Sequence, residues 1–460
     1  PIKSSAASDV YKRQVEQHDF AKATSSRSTK LVHGGVRYLQ QGDVSMVVEA
    51  LHERGRLWRN APHLVKDMRF IIGNYRWWER PFYTIGLCCY DLLAGRLGLG
   101  RSLPLSKKQT LKELPGLLHD HLRGGVVYHD GQFDDSRMAI TLMQSAHDHG
   151  AICINYMKVT SLIKNDSGKI CGAALEDTLE GGTYEVNVKG VVNATGVYVD
   201  DIMQMDKPES RKKVRPSQGV HIVVDAAFLG GNSALMIPKT RDGRVLFGVP
   251  WHGKAVLGTT DTPLNENSLE PKPLDEEIDF ILDQAGQYLT RKPKRSDVLS
   301  VFAGLRPLAA PTHSDSKKTK EISRNHKIYV SDSGMLTITG GKWTTYRQMA
   351  EEAVNKVAAL IGLEPRVCVT RKMQLHGYRE EVDRSVWDYV YGSDADQIAA
   401  LIENDASLGE LLHIGYTFRV AHVIWAVREE MAQTVEDVLA RRVRALFMDA
   451  QAAMEMAPRV

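Results

Sequence analysis

One segment near the N-terminus, residues 24–39, constrains this chain more than any other. It opens with hydroxyl side chains and cations, which suit phosphate, and then reaches the pair Gly34-Gly35, where backbone without Cβ lets another group approach closely. His33, Arg37 and Tyr38 beside this pair add a titratable ring, a guanidinium and a phenol. We predict that a phosphate-bearing cofactor and a phosphorylated substrate meet here. The alternative is a polar loop that caps a helix.

The composition is that of an ordinary globular protein. The 460 residues are enough for two or three domains, and 43% are hydrophobic and 25% charged. A net charge of +3 is too small to indicate nucleic acid as a partner. Five cysteines without C-x-x-C spacing indicate a reducing compartment, no metal site and no disulfide framework. Without an apolar run of about 18 residues or a signal peptide, we expect a cytoplasmic protein.

The first residues are interpreted separately. Residues 1–14 lack apolar periodicity, and we interpret them as a non-native leader outside the fold. Val15 and Glu16 then end a strand. An acidic side chain at the end of such a strand binds a ribose hydroxyl in dinucleotide folds, so Glu16 is a candidate cofactor contact.

Periodicity predicts the elements of the first half. A helix begins after Asp43 as N-cap, and another covers residues 136–150 before a strand at 151–155. Alternation predicts one strand over residues 184–194, followed by Thr195 and Gly196. Small residues at such a strand end let a flat cofactor or its pyrophosphate approach the backbone, although this signal is common.

The second half predicts an antiparallel region and an anion site. Strands at residues 220–224, 245–249 and 256–260 include a hairpin that turns at His252-Gly253-Lys254. A polar loop is expected at 312–320 and a strand at 336–339. Two glycines and Lys342 then open a helix, where free N–H groups and the helix dipole attract anions. The spacing is not that of a Walker loop.

Residues 68–101 mix aromatic side chains with arginines, among them Trp77, Phe82, Arg76 and Arg80. Such a mixture suits a bilayer interface. The alternative is a lid packed over the active site.

Several blocks together carry a resemblance to a known family. They are Ala23-Thr24-Ser25-Ser26, His33-Gly34-Gly35-Val36-Arg37-Tyr38-Leu39, Val192-Asn193-Ala194-Thr195-Gly196, Gly258-Thr259-Thr260-Asp261, Gly304-Leu305-Arg306-Pro307-Leu308 and Gly340-Gly341-Lys342-Trp343-Thr344-Thr345-Tyr346-Arg347. From about Val15 to about Ala358 the chain resembles the FAD-dependent, quinone-linked glycerol-3-phosphate dehydrogenases.

The resemblance implies an α/β (α+β) fold: an FAD-binding Rossmann-like parallel sheet, an inserted antiparallel-sheet substrate domain and a C-terminal helical domain. The implied catalytic region covers residues 15–365, with FAD-domain pieces 15–60, 130–210 and 326–365, cap pieces 61–129 and 211–325, and a helical domain, truncated or complete, at 366–460. The implied FAD contacts are Glu16, Thr24, Ser25, Ser26, His33, Gly34, Ala194, Thr195, Gly196, Gly341, Lys342 and Thr344.

The implied reaction oxidises sn-glycerol 3-phosphate to dihydroxyacetone phosphate, with hydride transfer to FAD and electrons passed to membrane quinone. His33 and His221 are the candidate bases, since imidazole titrates near working pH. Arg37, Arg306 and Lys342 suit contacts with the phosphate or the developing alkoxide, and Tyr38 suits a contact with a substrate oxygen. The implied substrate-binding residues are therefore Arg37, Tyr38, Arg306 and Lys342. The implied catalytic residues are His33, His221 and Arg306.

Two alternatives stay open: an oxidase that uses oxygen, and an inactive fragment that does not hold FAD. The resemblance also implies a peripheral position on the inner face of the membrane and allows a homodimer. The family opens with a strand and a G-x-G-x-x-G turn that receives the FAD pyrophosphate, and the sequence contains no such turn. We therefore expect a polypeptide of this sequence to purify with little or no flavin.

Overall fold

A computed structural model describes residues 12–40, 42–310 and 326–460. Most of the predicted leader and the polar loop expected at 312–320 lie outside the described residues.

The described chain alternates strands and helices until residue 360 and is mainly helical afterwards. Its strands are β1 (Arg13–Val15), β2 (Leu31–Val32), β3 (Lys66–Asn74), β4 (Leu103–Ser106), β5 (Gly124–Gln132), β6 (Ile152–Ile154), β7 (Met157–Lys164), β8 (Ile170–Asp177), β9 (Thr183–Asn187), β10 (Val192–Asn193), β11 (Val214–Asp225), β12 (Ala234–Ile237), β13 (Leu246–Trp251), β14 (Lys254–Gly258), β15 (Thr262–Pro263), β16 (Ser300–Ala309), β17 (Lys327–Val330) and β18 (Leu336–Thr339). Its α-helices are α1 (Val36–Gln40), α2 (Val44–Asn60), α3 (Glu79–Ala94), α4 (Lys107–Glu113), α5 (Asp135–Asp148), α6 (Val199–Asp206), α7 (Asp275–Gly286), α8 (Tyr346–Leu360), α9 (Ala395–Asn404), α10 (Val420–Glu430), α11 (Ala445–Met448) and α12 (Ala450–Met456).

Parallel pairing occurs in two separate small sheets and once in the largest sheet, where β12 pairs with β3. Strand β1 pairs in parallel with β6, and β10 pairs in parallel with β18, which also carries β17 on its other side. Arg13 and Gln14 pair with Ile152 and Cys153, so these two residues of the predicted leader belong to the folded chain.

A ten-stranded sheet forms the largest layer, with the path β15-β11-β14-β13-β12-β3-β5-β2 and with β16 and β4 paired to β11 and β5. The predicted hairpin is confirmed: β13 and β14 are antiparallel, and the turn holds His252 and Gly253 at φ 47° and 76°. Positive φ at both turn residues matches the twist of a two-residue hairpin. In this sheet Gly258 of β14 lies between Phe247 of β13 and His221 of β11.

The single strand predicted over residues 184–194 is wrong. Strand β9 belongs to the antiparallel sheet β7-β8-β9, whereas β10 belongs to the parallel piece with β18. Between them the chain passes Gly190, where an added Cβ would lie 2.8 Å from Ile361 Cγ2. Alternation of side chains does not reveal which sheet a strand joins, so the sequence pattern could not predict that the chain leaves one sheet and enters another between β9 and β10.

Local signals placed the main helices correctly. The Asp43 side chain accepts a hydrogen bond from the Met46 N–H at 3.1 Å, as expected for the N-cap of α2. After Arg366 the chain forms short 3₁₀ segments, α9, α10, a π-helix (Asp437–Arg442), α11 and α12. These elements share one apolar core with earlier residues such as Leu57 and Phe133. Among the described residues, no helix combines the length and apolar character required to cross a bilayer.

Candidate active site

A cavity of about 640 Å³ lies against the ten-stranded sheet, between the segment after β1 and the turn after β18. Its size lies within the range of about 300–1,000 Å³ that is usual for cofactor and substrate sites. The sequence-predicted residues that line it are Thr24, His33, Arg37, Tyr38, His221, Arg306, Lys342 and Thr344. Residues separated by about 300 positions in sequence therefore share one cavity.

The N-terminal segment and the double-glycine turn are joined directly. The His33 backbone N–H donates to Thr344 Oγ1 at 3.1 Å, and the Thr344 hydroxyl lies 3.3 Å from the His33 carbonyl. The Lys342 ammonium lies 3.9 Å from the centre of the Tyr38 ring, a cation–π contact. Gly341 has φ 83°, and an added Cβ there would lie 2.4 Å from Met349 Sδ. The turn therefore requires glycine at this position.

His221 is buried on the cavity wall, with its ring stacked on Phe302 at a centroid distance of 4.9 Å. Its Nε2 is hydrogen-bonded to Thr29 Oγ1 at 2.9 Å, and its Nδ1 has no partner among the described residues. Burial, with the nearby charges of Lys30 and Arg306, holds the pKa of His221 well below its usual range. The ring is therefore neutral at pH 7.

Arg306 lies at the end of the same wall, where its fork is held in one position. Its Nη2 donates to Thr259 Oγ1 at 3.1 Å and to the Thr260 carbonyl at 3.0 Å, and its Nη1 lies 3.3 Å from Asp261 Oδ1. Gly219 makes room for this group, since an added Cβ would lie 2.4 Å from Nη2. These hydrogen bonds hold the permanently charged guanidinium in one position, so the charge is fixed in the cavity wall.

Of the three acidic side chains that line the cavity among the described residues, two are paired with arginines and the third, Asp43, caps α2. Asp130 accepts from Arg54 Nη1 at 2.5 Å and from the Tyr90 hydroxyl at 2.9 Å. Asp261 accepts from the Ser217 hydroxyl and faces Arg306. Arg37, in contrast, forms no ion pair with any residue that the structure describes. The cavity therefore favours an anion.

The other predicted site residues lie outside the lining of this cavity among the described residues. They are Glu16, Ser25, Ser26, Gly34, Ala194, Thr195, Gly196 and Gly341. The Gly34 N–H donates to the Tyr90 hydroxyl at 2.8 Å, and the Ser25 carbonyl accepts from Trp343 Nε1 at 2.9 Å. These backbone contacts support the wall from behind.

The two strand ends that were expected to contact the cofactor, at Glu16 and at Thr195, lie outside the cavity lining. Glu16 follows β1, and its backbone N–H donates to the Ile154 carbonyl at 2.9 Å. Burial raises the pKa of Glu16 to about 7. Thr195 follows β10, and its hydroxyl donates to Asn193 Oδ1 at 2.8 Å. Their contacts with a cofactor stay predictions.

Two cations of the opening segment have carboxylates of the protein as partners. Lys30 is fully buried and donates to Asp135 Oδ2 at 2.8 Å and to the Ser26 carbonyl at 2.7 Å. Arg27 donates to Glu270 at 2.6 Å. Distant carboxylates therefore pair with both charges, although Arg27 also lines the cavity. That the hydroxyl-and-cation run binds phosphate stays a prediction.

Sequence reasoning missed several residues of the cavity. Those with side chains suited to chemistry or to holding a ring are Thr29, Phe70, Tyr128, Asp130, Met236, Arg244, Phe247, Thr259 and Asp261. Thr29 and the block at 258–261 were inside quoted motifs, so their hydroxyl and carboxyl groups were an available signal. Phe70, Tyr128, Met236 and Phe247 carry no local signal, because only the sheet brings them together.

Comparisons with known proteins show the family to which the chain belongs. Residues 13–347 match the family model described as FAD dependent oxidoreductase. Residues 335–460 match the model described as C-terminal domain of alpha-glycerophosphate oxidase. The chain belongs to the FAD-dependent oxidoreductases. Among curated proteins it is 39% identical to the glycerol-3-phosphate dehydrogenase SDP6, mitochondrial, of Arabidopsis thaliana, over 97% of this chain and 77% of that protein.

Other relatives place it in the glycerol-3-phosphate dehydrogenase branch. It is 39% identical to a probable mitochondrial glycerol-3-phosphate dehydrogenase of Caenorhabditis elegans and 40% identical to the Rattus norvegicus enzyme. Each match covers 97% of this chain and 66% of the relative, so the chain spans slightly less than two thirds of these two proteins. The predicted family is therefore confirmed.

Solved structures confirm the fold class. A glycerol-3-phosphate dehydrogenase from Bacillus halodurans, crystallised with FAD, has a TM-score of 0.76 and 30% identity over 98% of this chain and 86% of that chain. An FAD-bound L-alpha-glycerophosphate oxidase from Mycoplasma pneumoniae has a TM-score of 0.58 at 18% identity over 76% of this chain and 88% of its own, which shows a shared fold only. FAD is thus the cofactor of the family.

The cavity fits the ring end of FAD. Phe247, Met236, Phe70 and Tyr128 give it an apolar surface, and His33, Thr344 and Lys342 add polar groups to the same lining. A flat, partly polar ring needs this combination of aromatic contact and a few placed donors. For the nucleotide end, Glu16 is the group suited to a ribose. No pyrophosphate contact is assigned from a G-x-G-x-x-G motif, because the sequence contains none.

Proposed function

We propose that this protein oxidises sn-glycerol 3-phosphate to dihydroxyacetone phosphate. The observation that carries the proposal is the single cavity that collects a neutral buried histidine, His221, with the cations Arg37, Arg306 and Lys342. An alcohol oxidation needs a base for the hydroxyl proton, and a phosphorylated substrate needs fixed positive charge. When bound, FAD supplies the hydride acceptor.

His221 takes the proton of the substrate C2 hydroxyl. A lowered pKa leaves a ring nitrogen with a lone pair at neutral pH, and the stack on Phe302 together with the Thr29 hydroxyl fixes the ring plane. A nearby positive charge opposes protonation of the ring, so the proton is not retained after the substrate is oxidised. His33 shares the cavity and is the alternative base.

The cations bind the substrate and stabilise developing negative charge on its oxygen. Arg306 is fixed by Thr259 and Asp261, whereas the Arg37 side chain forms no hydrogen bond or ion pair with a described residue that would compete with a ligand. Lys342 adds a point charge above Tyr38. Phosphate at pH 7 carries close to two negative charges, and several converging cations match it better than they match a monocarboxylate.

The remaining predicted assignments are retained as proposals. The FAD contacts are Glu16, Thr24, Ser25, Ser26, His33, Gly34, Ala194, Thr195, Gly196, Gly341, Lys342 and Thr344. The domain division at residue 365, with cap pieces inserted between FAD-domain pieces, is likewise proposed.

Membrane quinone is the proposed electron acceptor. Supporting it, helix α3 carries Phe82, Ile85 and Leu92 on one face with 53%, 66% and 80% exposure, beside exposed Trp77. Its opposite face packs Leu87 and Tyr90 into the core next to the cavity. A helix with an apolar outer face lies well in a bilayer interface, so the protein is proposed to sit peripherally on the inner membrane face.

The catalytic proposal is tested with His221→Gln. Reconstituted with FAD and assayed with an artificial electron acceptor, the variant is expected to lose about 10²–10⁴-fold in kcat while KM for sn-glycerol 3-phosphate changes little, because general-base catalysis contributes this much. His119→Gln is the control, since His119 lies outside the cavity lining and is exposed. Unchanged kcat in His221→Gln would remove this residue from the base role.

The acceptor is tested separately. A quinone-linked enzyme reduces a water-soluble quinone without stoichiometric peroxide, whereas an oxidase releases one peroxide per substrate oxidised. Stoichiometric peroxide in air would favour the oxidase. Failure to bind FAD or substrate at all would favour the inactive fragment.

A further inference from the structure

The turn between β12 and β13 places a further guanidinium, that of Arg244, on the wall of the active-site cavity. The turn is held by its own polar groups. The Arg244 backbone N–H donates to Thr240 Oγ1 at 3.1 Å, and the Thr240 N–H donates to the Arg244 carbonyl at 2.7 Å. The Thr240 hydroxyl in turn donates to Asp242 Oδ1 at 2.5 Å. The backbone at Arg244 is therefore held rigidly.

The side chain of Arg244 is oriented as firmly as its backbone. Its Nε and Nη2 both face Asp242 Oδ2, and its plane lies 5.7 Å from the centre of the Phe280 ring. The side chain keeps only 18% exposure. Its Nη1 is buried and has no acceptor among the described residues. A buried guanidinium donor without an acceptor is unfavourable, and a bound anion near this group would relieve that cost.

The sheet places Arg244 at the same end as Arg306. Strands β13 and β14 are antiparallel with Phe247 opposite Gly258, so the residues just before β13 and just after β14 leave the sheet at one end. Arg244 lies just before β13, and Thr259, which accepts a hydrogen bond from Arg306, lies just after β14. Both arginines line the one cavity.

We propose that Arg244 is a specificity-determining residue that acts with Arg306 to recognise the doubly charged phosphate of the substrate. Each guanidinium keeps a carboxylate partner, Asp242 or Asp261, so neither binds a single negative charge strongly alone. A dianion satisfies both at once, whereas a neutral polyol or a monoanion does not. The inference rests on the proposed function and assigns its phosphate contact to this end of the cavity.

The test compares Arg244→Gln with Arg241→Gln. Arg241 sits on the same turn, but its side chain is 71% exposed and faces Asp283 at 3.8 Å, so it controls for charge and for the turn. Binding of sn-glycerol 3-phosphate and of inorganic phosphate to the purified chain is measured by titration calorimetry. We expect Arg244→Gln to bind both at least tenfold more weakly and Arg241→Gln to bind them as the unmodified chain does.

A turnover measurement adds a second criterion. With FAD-reconstituted protein, Arg244→Gln should raise KM for sn-glycerol 3-phosphate at least tenfold with kcat nearly kept. Arg244→Lys keeps the positive charge but lacks the two-pronged guanidinium, so its KM should lie between those of the unmodified chain and Arg244→Gln. This variant keeps the test decisive if Arg244→Gln fails to fold. A thermal unfolding curve of each variant checks the fold.

The outcomes separate the inference from the function. If the unmodified chain binds sn-glycerol 3-phosphate and both Arg244 variants bind it equally well, the role of Arg244 is overturned and the proposed function stands. If the unmodified chain binds neither phosphate ligand, the proposed function fails and the inference fails with it. Equal loss in Arg244→Gln and Arg241→Gln would indicate a general charge effect and would also overturn the inference.

Discussion

Two arginine-rich regions of this molecule have opposite environments. Arg76 and Arg80, at the start of α3, are exposed among exposed aromatic side chains. Arg441, Arg442 and Arg444, at the end of the π-helix, have exposures of 1%, 0% and 0%. Both regions mix arginines with apolar side chains in sequence. Composition alone therefore does not reveal whether such a region faces solvent or core.

Carboxylates from distant parts of the chain make the difference. Arg442 donates to both oxygens of Asp19 at 2.9 Å, and Arg444 donates to Asp135 Oδ1 at 3.0 Å. Burial opposes ionisation of Asp19, but the two neighbouring arginines outweigh it and lower the pKa of that carboxyl. A guanidinium is buried only where such partners satisfy it.

The buried pairs also reach the active site. The Ser26 carbonyl accepts from Arg444 at 3.0 Å and from Lys30 at 2.7 Å, and Lys30 directly follows Thr29, whose hydroxyl contacts His221. The C-terminal region therefore supports the cavity wall through charge pairs rather than by contact with the cavity. In contrast, the side chains of Arg76 and Arg80 form no ion pair with any residue that the structure describes.

The largest expected effect is on the buried side. Asp135→Asn removes the carboxylate that pairs with Lys30 and leaves Arg444 only its pair with Asp134. The free energy of unfolding should fall by about 3–5 kcal/mol, since the buried charge of Lys30 loses its compensation. Urea unfolding followed by circular dichroism measures the change. Asp283→Asn breaks an exposed pair with Arg241 and should cost less than about 1 kcal/mol. Equal losses in the two variants would contradict the comparison.

A smaller effect is expected from a half-buried charge, that of His376. Its Nδ1 lies 2.6 Å from Asp148 and its Nε2 2.9 Å from Asp394, joining α5 to the C-terminal region. The hydrogen bond to Asp394, with that to Asp148, raises the pKa of His376 to about 9. A folded-state pKa above the unfolded value of about 6.5 means that the stabilisation is complete below pH 6.5 and is lost as pH rises through 9.

The size of that loss should be about 2 kcal/mol between pH 6.5 and 9.5, after allowance for the exposure of Asp148. Urea unfolding at pH 6.5, 8 and 9.5 measures it. His376→Gln should flatten this part of the profile, whereas His413→Gln, which removes a pair with one exposed carboxylate, that of Glu455, should leave it steep. A profile that stays steep in His376→Gln would assign the pH dependence to another group.

Local signals predicted local features well. The N-cap Asp43, the hairpin at His252-Gly253 and the double-glycine turn before Trp343 depend on a few adjacent residues, and each lies where it was predicted. Motif blocks also predicted that His33, Arg306 and Lys342 would share a cavity, which they do. That agreement required no knowledge of the fold.

Long-range partners could not be predicted in this way. Thr29 contacts His221 across 192 positions, and Lys30 pairs with Asp135 across 105. The Thr29 hydroxyl and the Lys30 ammonium were both interpreted as anion contacts. The sequence shows a charged residue but not the distant carboxylate that the fold brings next to it. For the same reason, the sequence did not predict that Arg244 lines the cavity or that the arginines at the end of the π-helix are buried.

The smallest expected effect is on the exposed side, and it tests the membrane proposal. Arg76→Gln with Arg80→Gln should leave the free energy of unfolding within experimental scatter, because both side chains are exposed. Binding to vesicles with anionic lipid should weaken about fivefold for each charge removed, the usual contribution of an arginine near such a surface.

Co-sedimentation with anionic and with neutral vesicles measures this binding. Arg379→Gln with Arg459→Gln removes the same net charge from the C-terminal region and is the matched control, since both arginines are partly exposed and pair with surface carboxylates. If both double variants lose binding equally, the attraction is due to net charge and α3 has no special role. If neither double variant loses vesicle binding, two explanations remain. Either the apolar face of α3 with Phe82 and Ile85 binds the bilayer without help from the arginines, or α3 acts only as a lid over the cavity. Phe82→Ser with Ile85→Ser separates these two cases, because a helix that acts only as a lid keeps vesicle binding unchanged when its outer face becomes polar.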